Sequence, residues 1–212
     1  MLPGTEGGPE LTTPMTFPPA RPAGATRRRA TPRSILLDAV VAATSASAPE
    51  AVVTRLWSHA SEVARIARDL APAADVDPHD AAAAGLLHDV GELLLLARQP
   101  EGYGALLLSS DDHAGQLGAE KLGFGIDHAL LGAEHLLDLR IAHVIADAVA
   151  DHHDPFRESD LTTIVVAAAD EISAGDPERH HAMDLLGIAP EAAAVMLAAA
   201  RSPGAPTATS RP

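Results

Sequence analysis

Seven residues of this chain carry side chains suited to one chemistry: His59, His88, Asp89, His128, His152, His153 and Asp170. Imidazole nitrogen and carboxylate oxygen together make a divalent-cation site without thiolate. That donor set suits Fe, Mn, Zn, Co or Ni better than an all-oxygen site would. Five of these residues lie in four stretches whose pattern puts them inside. His59 falls three residues after Leu56 and four before Val63, on the apolar stripe of a helix. His88-Asp89 interrupts the apolar run Gly85-Leu86-Leu87-His88-Asp89-Val90-Gly91. His152 continues the face of Ile141, Ile145 and Ala148, and Asp170 follows Val165, Val166 and three alanines. Ionisable groups buried without partners would unfold a marginally stable domain, so they must satisfy one another. A shared cation does so better than hydrogen bonds, because neutral imidazoles cannot all pair with two carboxylates. One histidine alone is more often a satisfied core residue. The ordered set is what points to metal. His79, His113, His135, His143, His180 and His181 read as surface or capping residues; His143, for instance, shares a polar face with Asp147 and Asp151.

The elements that must position these side chains are helices. Ser34 to Thr44 holds a short amphipathic stretch, and a long helix from about Pro49 to Ala71 presents Val52, Leu56, Val63, Ile66 and Leu70 on one face. Asp77-Pro78 is a cap followed by proline at the first helical position, opening a run to Arg98. Pro100 and Gly102 break the chain before a short Leu-rich helix. Another helix runs from Ser110 to Leu122 and stops at Gly123 and Gly125. Asp127 caps a helix through Asp138, Ile141 to His153 is closed by Asp154-Pro155, Asp160 caps Leu161 to Ala174, and a last Ala-rich helix starts at Pro190. No segment alternates with period two. The expected fold is all-α: a single compact helical bundle over residues 34–200, flanked by disordered tails at 1–33 (rich in Pro, Gly and Thr, ending in Arg27-Arg28-Arg29) and 201–212.

Composition agrees. Hydrophobic residues make up 47% of the 212, but aromatics only 2%, so Ala and Leu carry the burial and favour packed helices over a β-sandwich. No cysteine is present, which excludes disulfides and thiolate ligands and fits a reducing, cytoplasmic setting. Between Ser34 and Ala200, 8 Lys and Arg face 27 Asp and Glu, a balance of −19 against −14 for the whole chain. Such a surface repels nucleic-acid backbone, so no DNA or RNA binding is expected, and a phosphate-bearing substrate would need a metal to supply positive charge. No apolar run approaches the roughly 20 residues that span a bilayer, and no membrane association is expected.

The motifs in combination resemble a known family. Leu56-Trp57-Ser58-His59-Ala60 and Ala84-Gly85-Leu86-Leu87-His88-Asp89-Val90-Gly91 are similar to the HD superfamily of metal-dependent phosphohydrolases. Glu120 before Leu122-Gly123, then Asp127-His128-Ala129-Leu130-Leu131-Gly132-Ala133, then Ile145 leading to His152-His153-Asp154-Pro155, narrows the resemblance to HDOD (HD-related output) domains. These are signalling modules related to the cyclic-di-GMP phosphodiesterases called HD-GYP. The likeness covers roughly residues 35 to 175. It implies His59, His88, Asp89 and Asp170 as ligands of a first divalent ion. His128, His152 and His153 would serve a second, with Asp89 bridging and catalytically central. Three features depart from the related enzymes. Asp154-Pro155-Phe156-Arg157 stands where Gly-Tyr-Pro would be, Glu92 stands where a lysine near the phosphate is usual, and the N-terminal helical half is largely absent.

Two readings follow. The chain is an HDOD-type signalling domain that retains its metal site, with a signalling protein as partner. Alternatively it is an active phosphodiesterase or phosphatase on a small phosphorylated or nucleotide substrate. A helical core with polar pairs and no ligand is the plainest third.

Overall fold

Asp77 accepts hydrogen bonds from the backbone N–H groups of His79 and Asp80, and Pro78 takes the first helical position, as the cap-proline pair requires. The computed structural model describes residues 30–109, 113–156, 159–175 and 180–202. The tails read as disordered lie outside the described residues except at their inner edges, as do the Arg27–Arg29 cluster, Ser110 and the side chain of His113.

Among the described residues every regular element is helical. They are α1 (Pro32–Ser45), α2 (Glu50–Leu70), α3 (Pro78–Leu87), α4 (Val90–Arg98), α5 (Pro100–Ser109), α6 (His113–Phe124), α7 (His128–Asp138), α8 (His143–Asp151), α9 (Leu161–Ala174), α10 (His181–Leu186) and α11 (Pro190–Arg201), with a 3₁₀ turn at Ala71–Ala74. The all-α reading holds.

Several boundaries differ from the sequence expectation. The run from Pro78 to Arg98 is not one helix. It breaks at His88-Asp89, where Asp89 leaves helical geometry (φ −104°, ψ 19°) and serves as the cap position of α4. Pro100 opens α5 instead of breaking the chain, and Gly102 sits inside that helix. The α6 helix runs through Gly123 to Phe124 and ends against Gly125, whose φ of +78° suits glycine. The α8 helix ends at Asp151, so His152 and His153 lie just beyond it. Helix α10 was not anticipated: six residues carry too little periodicity to stand out. The caps Asp127 and Asp160 are as expected, accepting from Leu130 N–H and Thr162 N–H.

Two apolar clusters hold the bundle. One joins α1 and the first half of α2 to α3, α4, α7 and α8 through Leu36, Leu56, Leu87, Leu93, Leu96, Leu136 and Val149. The other joins the second half of α2 to α9, α10 and α11 through Val63, Ile66, Val165, Ile172 and Met183. Each fully buried Leu, Ile or Val contributes about 1.5–3 kcal/mol. The five α2 positions expected on one face are all buried. Helix α9 is buried on every side from Thr162 to Ser173, which makes it the central element and gives Asp170 no access to bulk water.

Candidate metal centre

His59 on α2, His88-Asp89 at the α3–α4 break and Asp170 on α9 converge on one point. His59 Nε2 lies 3.0 Å from Asp170 Oδ1, 3.6 Å from Asp89 Oδ2 and 3.2 Å from His88 Nε2. His88 Nε2 lies 3.0 Å from Asp89 Oδ2 and 3.8 Å from Asp170 Oδ1. Ligand distances of about 2.1 Å place neighbouring donors roughly 3.0–3.4 Å apart in tetrahedral or octahedral geometry; three of these five spacings fall in that range, and the other two exceed it by a few tenths of an ångström.

The other carboxylate oxygen of Asp89 faces a second group. His128 Nε2 and His152 Nε2 are each 3.4 Å from Asp89 Oδ1, and His153 Nε2 is 2.8 Å from His128 Nε2. Asp89 therefore turns one oxygen to each group, the arrangement of a bridging carboxylate. Asp89 Oδ1 and His152 Nε2 are buried and make no hydrogen bond among the described residues. Uncompensated, such groups cost on the order of 1–3 kcal/mol each.

The backs of the imidazoles explain their orientation. His88 Nδ1 donates to Gly85 O at 2.9 Å, His152 Nδ1 to Val149 O at 2.8 Å, and His128 Nδ1 to the Glu120 carboxylate at 2.8 Å. His59 Nδ1 faces Ser173 Oγ at 3.2 Å. With a proton held on Nδ1, each ring turns Nε2 toward the Asp89 cluster, the usual posture of a metal-ligating histidine. Two lone pairs meeting head-on, as at His59–His88 and His128–His153, repel unless a proton or a metal ion lies between them. The donor set, its spacing and these anchors fit a divalent cation.

Glu120 has a larger part than its sequence position conveyed. It is fully buried and accepts from His128 N–H (2.8 Å), Tyr103 O–H (2.6 Å) and Gln116 Nε2 (3.0 Å) besides the His128 ring. Gln116 also donates to Glu92. In the sequence Glu120 stands out only through the motif before Leu122-Gly123, and no spacing ties it to Tyr103 or Gln116.

The electrostatics follow from crowding. Burial works against the charged form of His59, but the Asp170 bond and the Asp89 and Asp170 charges push it up to about 9. Burial opposes and the same kind of partners, Asp89 and Glu120, prevail at His128, held well above its ordinary value. Burial would raise Asp89 and Asp170, yet the surrounding imidazoles hold both well below the usual carboxylate range. Glu92 is pushed up to about 7 by burial and the Asp89 charge. Burial lowers His152 and, with the neighbouring imidazoles, His153.

All seven expected residues thus meet in one cluster. Of the histidines expected outside, His79, His143, His180 and His181 are exposed, whereas His135 is half-buried and its ring lowered by burial. His181 Nε2 also donates to Pro155 O.

The HDOD domain family matches residues 30–155. Ribonuclease Y of Clostridium kluyveri is 33% identical over 119 residues, 56% of this chain and 18% of that protein, so the chain spans about a fifth of the curated relative. Among solved structures, a Shewanella amazonensis protein provisionally described as a phosphohydrolase superposes with TM-score 0.56 at 19% identity, covering 77% of this chain and 78% of that one. The MmoQ response regulator of Methylococcus capsulatus does so with TM-score 0.54 at 26% identity, covering 67% and 60%.

Proposed function

This chain belongs to the HDOD domain family, and from that premise we propose that it is an HDOD-type regulatory domain whose centre binds one or two divalent cations and hydrolyses a phosphoester bond. The observation that carries this reading is the anchoring of imidazole Nδ1 atoms on Gly85, Val149, Glu120 and Ser173, which leaves Nε2 donors gathered about both oxygens of Asp89.

His59, His88, Asp89 and Asp170 would hold one ion, and His128, His152 and His153 a second shared through Asp89. Bound divalent cations supply charge neutralisation at a phosphoryl group and a ready source of hydroxide near neutral pH. The chain's own part is to fix donor geometry through the Nδ1 anchors and to exclude water with the apolar walls of α3, α4 and α9. The relative named Ribonuclease Y makes a phosphodiester the first substrate class to try. The balance of −19 over residues 34–200 argues for a small or nucleotide-sized substrate over an extended polynucleotide. The reading takes the cytosol as its setting, in keeping with the absence of cysteine.

A second reading keeps the metal but drops turnover: a signalling module recognised by a protein partner. Glu92 supports it, because a buried carboxyl paired with Gln116 stands where the resembled enzymes carry a lysine for phosphate. The similarity to a response regulator points the same way.

Metal content of untagged protein tests both. At least one divalent ion per chain is expected, lost in Asp89→Ala; below about a tenth of an ion per chain, neither reading survives. Manganese-supplemented assays on bis(p-nitrophenyl) phosphate, p-nitrophenyl phosphate, cyclic dinucleotides and a short oligoribonucleotide then separate them. Turnover abolished by Asp89→Ala supports the hydrolase, and full occupancy without turnover supports the module.

A further inference from the structure

His59 and Glu62 stand three residues apart on α2, and Asp170 and Ser173 stand three apart on α9, so the two helices present matched pairs across their contact. The inner pair, His59 and Asp170, belongs to the metal centre. The outer pair is joined to it and to α11. Ser173 Oγ donates to Glu62 Oε1 at 2.7 Å and faces His59 Nδ1 at 3.2 Å. Arg201, the last residue of α11, grips Glu62 with a two-pronged fork: Nε donates to Oε2 at 3.0 Å and Nη2 to Oε1 at 3.1 Å. The same Nη2 donates to Ser173 O at 3.1 Å.

Proton directions along this chain are forced. A carboxylate paired with a guanidinium only accepts, so the Ser173 hydroxyl hydrogen must point at Glu62. The serine oxygen then offers its lone pair to His59, and His59 must donate from Nδ1. With Nδ1 committed to Ser173, Nε2, which faces His88 and Asp170, is the nitrogen left for a cation to take in place of a proton. Without the Glu62 charge, the hydroxyl is free to turn and donate to Nδ1, which puts the ring proton on the ligand nitrogen. As a half-exposed ion pair, Arg201–Glu62 adds little to stability; its consequence is orientation. The family match ends at residue 155, so α9 and α11, which supply Ser173 and Arg201 to this linkage, lie beyond it, whereas His59 and Glu62 lie within it.

We propose that Glu62 and Arg201 are positioning residues for His59, so that the docking of α11 sets how tightly the His59–His88–Asp89–Asp170 half of the centre holds a divalent cation. The inference rests on the metal-binding reading above.

Manganese titration of the full chain, followed by calorimetry and by the electron paramagnetic resonance signal of free manganese, tests it. Glu62→Gln, Ser173→Ala and Arg201→Ala should each weaken the first equivalent about tenfold or more, and Glu62→Gln/Arg201→Ala should be no worse than its weaker-binding single variant. The visible spectrum of the cobalt-loaded protein should change in all three. Arg201→Lys, which keeps the charge without the fork, should recover part of the loss. Arg68→Ala, which removes an α2 cation remote from Glu62, should bind as wild type. Wild-type protein that takes up no manganese overturns the metal reading itself. Wild-type binding with Glu62→Gln and Arg201→Ala unchanged overturns only the present inference, even if Ser173→Ala is impaired, and Glu62→Gln serves should Arg201→Ala loosen α11.

Discussion

The backbone of His128 occupies the space beside Gly91. A Cβ on Gly91 would stand 2.9 Å from the His128 Cα and 2.7 Å from its carbonyl carbon, and would collide with the carbonyl oxygen. A Cβ on Gly132, one turn further along α7, would stand 3.2 Å from Val90 Cγ1 and 3.3 Å from the Gly91 nitrogen, a tight fit but a lesser one. The α4–α7 crossing thus depends on absent side chains, and it brings Asp89 and His128 together.

Gly91→Ala should therefore separate α4 from α7. The obstacle is backbone, which cannot rotate aside, so the cost should reach or exceed the upper end of the usual ~1–3 kcal/mol for overpacking. Thermal unfolding should show the loss, and metal content should fall with it. An unchanged melting temperature would refute this account of the crossing.

Metal removal should destabilise the wild-type protein. At free metal about one hundred times Kd, binding adds about 2.7 kcal/mol, or a rise of about 5–10 °C in Tm for a domain of this size. Differential scanning fluorimetry with and without chelator reads the shift. Asp89→Ala should show none, since its two oxygens face both donor groups.

The metal-free protein should be most stable near pH 6.5. His59 and His128 have folded values raised above 6.5, so their contribution is complete below that pH and is lost as pH rises, for His59 through about 9. His135, His152 and His153 are lowered, so the unfolded chain binds more protons below 6.5 and stability falls on acidification. Glu92, raised to about 7, opposes this on the acid side, but one carboxyl offsets only part of three imidazoles. Metal displaces protons from the imidazoles, so the chelator-sensitive part of Tm should instead grow from pH 6 to pH 9. Urea melts across this range, with and without chelator, check both slopes.

Tyr103→Phe removes a buried hydroxyl that donates to Glu120 at 2.6 Å. Loss of a bond to a charged acceptor should cost about 1.5–3 kcal/mol. Because Glu120 also anchors His128, manganese affinity of the second equivalent should fall while the first is spared. Equal weakening of both would mean that Glu120 does not act through His128.

The sequence by itself determined which residues are inside. Helical period places Val52, Leu56, Val63, Ile66 and Leu70 on one face, and the same period, read through the polar interruptions, marks His88-Asp89, His152 and Asp170 as buried groups that need partners; His59, expected inside with them, is half-buried. Cap chemistry at Asp77, Asp127 and Asp160 is local, involving residues two or three positions apart, so it too was legible. What tertiary structure decided is everything that depends on distances between helices. Periodicity alone carries one helix through His88-Asp89; the break there turns the two side chains to a common point. Glu120 behind His128, Tyr103 behind Glu120, and Arg201 reaching Glu62 across 139 residues leave no periodic trace, because a hydrogen bond between separate helices imposes a geometry without imposing a spacing along the chain.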